Sequence, residues 1–337
     1  MSARGLLGSD EALAVRYDLA LVDLDGVAYR GHDPIDGAAE GLAGARAAGM
    51  RLVFVTNNAS REPEAVAEQL TGLDIPTRAA EVMTAAQAAA ELLATRVPAG
   101  EPVLVVGGAG LHTAVAAKGY RIVGSADDAP VAVVQGYAAD VGWQQLAEAA
   151  YAVQRGAWHV ASNLDLSLPT ARGFAPGNGA LVGAVRAATG VEPASAGKPS
   201  PTMYRLAVDR AGAARPLVVG DRLDTDLAGA RAGDIPGLHV LTGVSTARDA
   251  VLADAGERPH YLAADLRGLL VPHPEPLPED GWWVCRGAAA RVVDGALELG
   301  GRPEDAVDLV RAACAATWDA VDRGAGPDPA TVPDLPR

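Results

Sequence analysis

Short apolar runs alternate with amphipathic helical stretches from residue 17 to about 270, and this alternation restricts the fold more than any other feature of the chain. The runs are Leu19–Val22, Leu52–Val55, Val103–Val106, Val131–Val134, Trp158–Ala161, Leu217–Val219 and His239–Leu241. Each is only a few residues long and apolar apart from His159 and His239, the pattern of a parallel strand buried on both faces. Helical patterns near 37–48, 63–72, 84–96, 110–119, 142–155, 178–189, 201–213, 223–232 and 246–255 separate or follow them. Such alternation predicts parallel sheets covered by helices. The expected class is α/β, with a Rossmann-like, doubly wound parallel-sheet core. The stretch is too long for one small doubly wound domain, so two α/β modules are expected.

The ends of the runs divide the chain. Three carry polar chemistry: Asp23 with Asp25, then Thr56-Asn57-Asn58, then Asp221. No strand between about 84 and 190 ends in a comparable acid. The simplest organisation is a core of residues 1–80 plus 192–270, interrupted by an inserted α/β cap of residues 81–191. Residues 271–280 hold four prolines and read as a stiff, extended linker. Residues 281–323 read as a small β-hairpin-plus-helix unit, with an Asp294-Gly295 turn and one apolar helix face of Val307, Val310, Ala313, Cys314 and Trp318. That unit is too small to stand alone and should pack on another domain or a second subunit, which makes a homodimer contact one of its candidate roles. Residues 324–337 are rich in Pro and Asp and are expected to be disordered.

Charge narrows the partners. The formal net charge is −14, which argues against a nucleic-acid or anionic-membrane partner, since both need a basic face. No run is long enough to span a bilayer, and Met1–Arg16 has no signal-peptide core, so a cytoplasmic location is expected. The two cysteines form no CxxC motif and no Cys/His cluster, so neither zinc nor a disulfide framework is indicated. Only Lys118 and Lys198 are lysines among 28 basic residues, so Lys198, in the Gly197-Lys198-Pro199 loop before a helix, carries unusual weight.

Asp23 and Asp25 project to the same side of an extended chain at the carboxyl end of a strand, where open α/β sheets bind ligands. Two carboxylates this close repel unless a cation or a proton intervenes. A phosphate ester gives every strand-end group a role. Asp23 is the candidate nucleophile, forming an aspartyl phosphate, and Asp25 the candidate general acid and base. Thr56 Oγ and the Asn57 N–H, with Asn58 beside them, are candidate holders of the phosphoryl oxygens. Lys198 offsets negative charge, and Asp221 helps hold Mg²⁺, a hard cation that favours oxygen ligands. Asp224 and Asp226 also read as simple helix-start residues.

In this order the motifs resemble the haloacid dehalogenase superfamily of phosphatases. Asp23-Leu24-Asp25-Gly26-Val27 resembles its first motif, Thr56-Asn57 its second, Lys198 its third, and Gly220-Asp221 with Asp226 its fourth. The resemblance implies that Asp23 is nucleophile and metal ligand, that Asp25 is acid/base and lends a backbone carbonyl to the metal, that Asp221 completes the protein ligands, and that Asp226 supports them. An insert between the second and third motifs is similar to the subclass with a large α/β cap, the p-nitrophenylphosphatase-like and NagD-like enzymes. Asn163-Leu164-Asp165 and Pro176-Gly177-Asn178-Gly179 fit that subclass. Asn163, Asp165 and Arg172 are cap candidates for substrate contact. The arrangement with its tail resembles actinobacterial glycerol-3-phosphate phosphatases, which implies glycerol 3-phosphate as substrate. Phosphoglycolate, a sugar phosphate or a nucleotide monophosphate are alternatives, as is phosphoryl transfer to a second metabolite. A signalling receiver domain also uses acids around an aspartyl phosphate, but it is a single small domain with no insert.

Overall fold

The computed structural model describes residues 5–335 with the exception of Ala171. The chain divides into two compact units: one takes the N-terminal segment through Val53, Leu73–Ile75 and everything from Val208 onward, and the other takes Phe54–Gly72 and Pro76–Ala207. No helix among the described residues is long and apolar enough to cross a membrane.

The first unit is built on a parallel sheet. Its central strand, Leu19–Val22, is buried along its whole length, as expected of a strand covered on both faces. It pairs in parallel with Pro216–Gly220, Val22 lying opposite Val219. That strand pairs with Gly237–Val240, which in turn pairs with Tyr261–Ala263. On the other flank of the central strand runs Arg51–Thr56, its entry tied by the Arg51 N–H to the Asp18 carbonyl at 3.1 Å. The chain therefore leaves the central strand in one direction and later returns to its opposite side. At such a reversal the carboxyl ends of neighbouring strands are open to a ligand. Here those ends belong to Leu19–Val22 and Pro216–Gly220.

The C-terminal residues are part of the same unit. Leu277–Glu279, Trp282–Cys285, Ala288–Val293 and Ala296–Gly301 form a four-stranded antiparallel sheet. Asp294 and Gly295 join the last two strands with φ of 49° and 76°, the left-handed pair that a two-residue hairpin requires. The helix Ala306–Asp322 starts at Asp305, whose carboxylate accepts the Val307 N–H, and it buries Val307, Val310, Ala313, Cys314 and Trp318. These side chains share one core with Leu223, Leu241, Val251 and Leu262 of the parallel-sheet layer.

Three features differ from the sequence expectation. The tail carries four strands where one hairpin was expected. The proline-rich stretch is not a free linker: His273 exchanges both backbone hydrogen bonds with Ser9, and Leu277–Glu279 is a strand. Pro278 is tolerated because that strand lies at the sheet edge, where a missing N–H costs no ladder bond. Within 324–337, Pro329–Thr331 makes a 3₁₀ turn, Val332 is buried in the shared core and Leu335 packs against it, so this stretch packs as far as residue 335. Pro336 and Arg337 lie outside the described residues.

The second unit contains a five-stranded parallel sheet in the order Ala194–Ser195, Trp158–Ala161, Ala132–Gln135, Pro102–Val106, Arg121–Val123. Phe54–Thr56 pairs in parallel with Val82–Thr84 in the same unit. Thr84 then caps the next helix, its hydroxyl accepting the Gln87 N–H while the Gln87 side chain accepts the Thr84 N–H. An antiparallel hairpin, Ser167–Thr170 with Gly173–Pro176, leads into the helix Asn178–Thr189.

Candidate functional site

In the first unit the two neighbouring strand ends deliver acids to one place. Asp23 directly follows Leu19–Val22, and its N–H extends the ladder to the Val219 carbonyl at 2.9 Å. Asp221 directly follows Pro216–Gly220 and is fully buried. Asp226 sits in a wide π-type turn, Leu223–Leu227, and is buried as well. Asp23, Asp221 and Asp226 each bring a carboxylate oxygen into a set lying within 4.8 Å of one another. Three carboxylates gathered this closely, two of them out of water, repel one another and favour a bound cation. An all-oxygen donor set of this kind suits a hard divalent ion.

Backbone groups hold Asp221 in place. Its Oδ2 accepts the Val244 N–H at 2.6 Å, and its carbonyl accepts the Ser245 N–H at 3.1 Å. The Ser245 hydroxyl accepts the Leu223 N–H at 3.1 Å. Two glycines provide the room. A Cβ on Gly243 would lie 1.8 Å from Asp221 Oδ2, and one on Gly26 would lie 2.4 Å from it. Gly26 also turns the chain with φ of +88°, and its carbonyl accepts the Thr242 hydroxyl at 2.6 Å. Asp25 is exposed while Leu24 beside it is buried, so the alternation of the strand persists past its last ladder pair. His239, opposite Gly220 on the next strand, is fully buried, which pushes its pKa down to about 4 and keeps the ring neutral.

The second unit gathers the other predicted residues into a hydrogen-bonded cluster. Asn57 is its hub. Its Oδ1 accepts the Lys198 N–H at 2.8 Å, and its Nδ2 donates to the Lys198 carbonyl at 3.2 Å. The same Nδ2 donates to the Asp165 carboxylate at 3.1 and 3.2 Å. Asn163 Nδ2 donates to the Asn57 carbonyl at 2.7 Å, and Asn163 Oδ1 accepts the Asp165 N–H at 3.1 Å. Lys198 is 4 % exposed, and its Nζ reaches the Val55 carbonyl at 3.2 Å. Thr56 Oγ1 accepts the Asn58 N–H, and Asn58 Oδ1 in turn accepts from the Ser60 backbone and hydroxyl. Asn58 is thereby engaged in holding the turn after the strand.

Sequence-predicted residues thus fall into two groups, Asp23 with Asp221 and Asp226, and Thr56, Asn57 and Lys198 with Asn163 and Asp165. Asp25, exposed beside the first group, Asn58, bonded within its own turn, and Arg172 join neither. Arg172 is exposed at the tip of the Ser167–Pro176 hairpin, its N–H bonded to the Thr170 hydroxyl. Sequence reasoning missed the Thr242–Ser245 loop, which acts through backbone groups. Its one signal is a Thr-Gly pair directly after the predicted His239–Leu241 run. It also gave Asn178 no role, although Asn178 Nδ2 bonds the Asn163 carbonyl at 2.7 Å.

Residues 20–121 match the haloacid dehalogenase-like hydrolases, and residues 195–269 match a second, HAD-hydrolase-like pattern. The chain is 44% identical over 317 residues to the D-glycerol 3-phosphate phosphatase of Mycobacterium tuberculosis, across 92% of this chain and 88% of that protein. It is 38% identical to an acid sugar phosphatase of Staphylococcus saprophyticus, across 75% of this chain and 97% of the relative. Among solved structures, the glycerol phosphate phosphatase of M. tuberculosis in complex with magnesium superposes with a TM-score of 0.86 at 44% identity, covering 92% of this chain and 93% of that one. The p-nitrophenyl phosphatase of Archaeoglobus fulgidus gives 0.70 at 29% identity, covering 75% and 98%.

Proposed function

The chain belongs to the haloacid dehalogenase-like hydrolases, and from that premise we propose that it is a Mg²⁺-dependent phosphomonoesterase for a small phosphorylated metabolite, glycerol 3-phosphate first among candidates. The observation that carries this reading is the Asp23–Asp221–Asp226 cluster, with its carboxylate oxygens within 4.8 Å of one another at two adjacent strand ends. The substrate choice rests on the relative at 44% identity, whose match covers 92% of this chain and so reaches beyond the phosphatase motifs into the C-terminal unit.

Asp23, Asp221 and the backbone carbonyl of Asp25 would hold Mg²⁺, with Asp226 behind them. When bound there, the ion neutralises negative charge and polarises the phosphoryl group. Asp23 attacks phosphorus and forms an aspartyl phosphate, and the ester oxygen leaves with a proton from Asp25. Asp25 then takes a proton from water, which attacks the aspartyl phosphate and releases inorganic phosphate. The exposure of Asp25 suits it to exchange that proton with solvent. In the second unit, the Thr56 hydroxyl and the Asn57 N–H are suited to phosphoryl oxygens, and the Lys198 ammonium to the charge they carry. The Asn57 amide fixes the Lys198 peptide from both sides, which supports a positioning role for its side chain. Asn163 and Asp165 support the same cluster through Asn57.

The test is phosphate release from a panel of glycerol 3-phosphate, phosphoglycolate, sugar phosphates and nucleotide monophosphates, with Mg²⁺ and with EDTA. Glycerol 3-phosphate should show the highest kcat/KM, and EDTA should abolish turnover. Asp23→Asn should lose at least about a thousandfold in kcat, as expected when a nucleophile is removed. Near-normal turnover by that variant would end the mechanism, whereas a sugar phosphate as best substrate would change only the substrate.

A further inference from the structure

The C-terminal unit is joined to the metal-ligand cluster by a short, continuous series of contacts. The helix Ala247–Val251 stands between them. On one side it meets the tail. Trp318 Nε1 donates to the Ala250 carbonyl at 3.1 Å, on the last turn of that helix, a carbonyl that also accepts the Ala253 N–H at 3.3 Å. Arg248 Nε donates to the Val332 carbonyl at 3.0 Å, and its terminal nitrogen donates to the Pro329 carbonyl at 2.6 Å. Ala247, Ala250 and Val251 are buried in the same core as Val310, Cys314, Trp318 and Val332.

On its other side the helix is continuous with the loop that holds Asp221. Thr246 is its cap, with hydroxyl and N–H locked to Asp249. Of the four residues before Thr246, three touch Asp221 and the first touches Gly26. Ser245 and Val244 donate to Asp221, Gly243 lies against its carboxylate, and Thr242 bonds the carbonyl of Gly26. Five residues form the helix, and a helix that short does not hold its place by itself. Its position, and with it that of the loop, is set by what packs on it.

We propose that the C-terminal unit is a strut for Asp221: Trp318 and Arg248 fix the Ala247–Val251 helix, and the helix fixes the loop whose Val244 N–H orients that carboxylate and whose Ser245 N–H holds its backbone carbonyl. Trp318 and Arg248 are positioning residues, acting on the ion through the loop. The inference rests on the reading of the acid cluster as a Mg²⁺ site. Groups one step removed from a metal ligand typically alter affinity by tenfold or more, and a further step should leave a smaller effect of the same sign.

The test is Mg²⁺ binding by the full-length protein, followed by isothermal titration calorimetry without substrate. Trp318→Phe keeps most of the ring and removes its N–H, and Arg248→Gln removes the contacts to the last residues. Each should weaken Mg²⁺ binding about threefold to tenfold, and saturating Mg²⁺ should restore most of kcat. Val292→Ala, in the tail hairpin and outside these hydrogen bonds, serves as the control for general loosening of the core. It should lower the melting temperature and leave Mg²⁺ affinity within about twofold. If wild type and both variants bind Mg²⁺ alike, the strut is wrong. It is equally wrong if Val292→Ala weakens binding as much as Trp318→Phe. If the wild-type protein binds no Mg²⁺, the reading of the acid cluster fails and the strut falls with it. Should Trp318→Phe not fold, Arg248→Gln, altered at a partly exposed side chain, decides between the first two outcomes.

Discussion

A Cβ at Gly243 would sit 1.8 Å from Asp221 Oδ2, well inside any non-bonded contact, and the atom it meets belongs to a fully buried acid that cannot swing away. Gly243→Ala must therefore displace either the loop or the carboxylate. A displacement of about 1 Å at such a group costs on the order of a hundredfold in rate. We expect Gly243→Ala to lower kcat/KM for phosphate release by about that factor while far-ultraviolet circular dichroism stays that of the parent. A variant with parental kcat/KM would mean that the loop accommodates a methyl group without moving Asp221. The residues proposed for the chemistry were legible because aspartate, threonine and lysine at strand ends are distinctive side chains in a distinctive order. The loop that holds Asp221 was not, because Val244 and Ser245 act through N–H groups that every residue except proline possesses. The Asn57 cluster was half legible. Asn57, Asn163, Asp165 and Lys198 could all be singled out along the chain, but their mutual bonds join positions 57, 163–165 and 198. Only the folded backbone brings those positions together.

At the scale of elements, the helix Ala306–Asp322 carries a buried ion pair whose removal can be foreseen. Arg311 bonds the Asp308 carboxylate at 2.6 Å and the Leu262 carbonyl at 2.6 Å, so it ties the helix to the edge of the parallel sheet. Asp308 is fully buried and also faces the Cys285 thiol, which burial and the nearby carboxylate push up to about 12. Arg311→Met leaves the Asp308 charge with no cationic partner in a dry core, a change that costs about 3–5 kcal/mol. Replacing both, Asp308→Leu with Arg311→Met, removes the stranded charge and should recover most of that loss. Urea denaturation followed by tryptophan fluorescence reads both variants. If the single variant costs less than about 1 kcal/mol, the pair is not the tie that its geometry suggests. The helix itself was legible from the spacing of its apolar face, and the hairpin from Asp294-Gly295. The strand Leu277–Glu279 and the packed turn Pro329–Thr331 were not. Prolines argue against structure when a segment is read alone, but an edge strand and a 3₁₀ turn both accept them.

At the scale of the whole molecule, both units hold histidines that are kept neutral by burial. Burial pushes His159 down to about 4, His273 to about 4 and, with help from the Arg231 charge, His260 to about 3. His239, beside the acid cluster, adds a fourth such ring. The hydrogen bonds explain why protonation is resisted. His159 and His273 each present Nε2 to an oxygen, Gln135 Oε1 at 3.0 Å and the Gly268 carbonyl at 2.8 Å, leaving Nδ1 buried with no acceptor for a second proton. His260 Nδ1 accepts the Gly237 N–H at 3.0 Å, a bond that protonation breaks. The unfolded chain binds protons at these rings near the ordinary value of about 6.5, and the folded chain only well below it. Between those limits the unfolded state carries more protons, so stability rises with pH. The contribution is complete above about pH 6.5 and is lost progressively as the pH falls toward about 4. Each ring contributes a slope approaching about 1.4 kcal/mol per pH unit inside that window. The urea midpoint should therefore drop steeply between about pH 6.5 and 5 and hardly change between about pH 7 and 8. His260→Gln, which keeps a polar side chain and removes one of the titrating rings, should flatten that slope by about a quarter. A midpoint independent of pH across the same acid range would show that these rings are not held neutral by the fold.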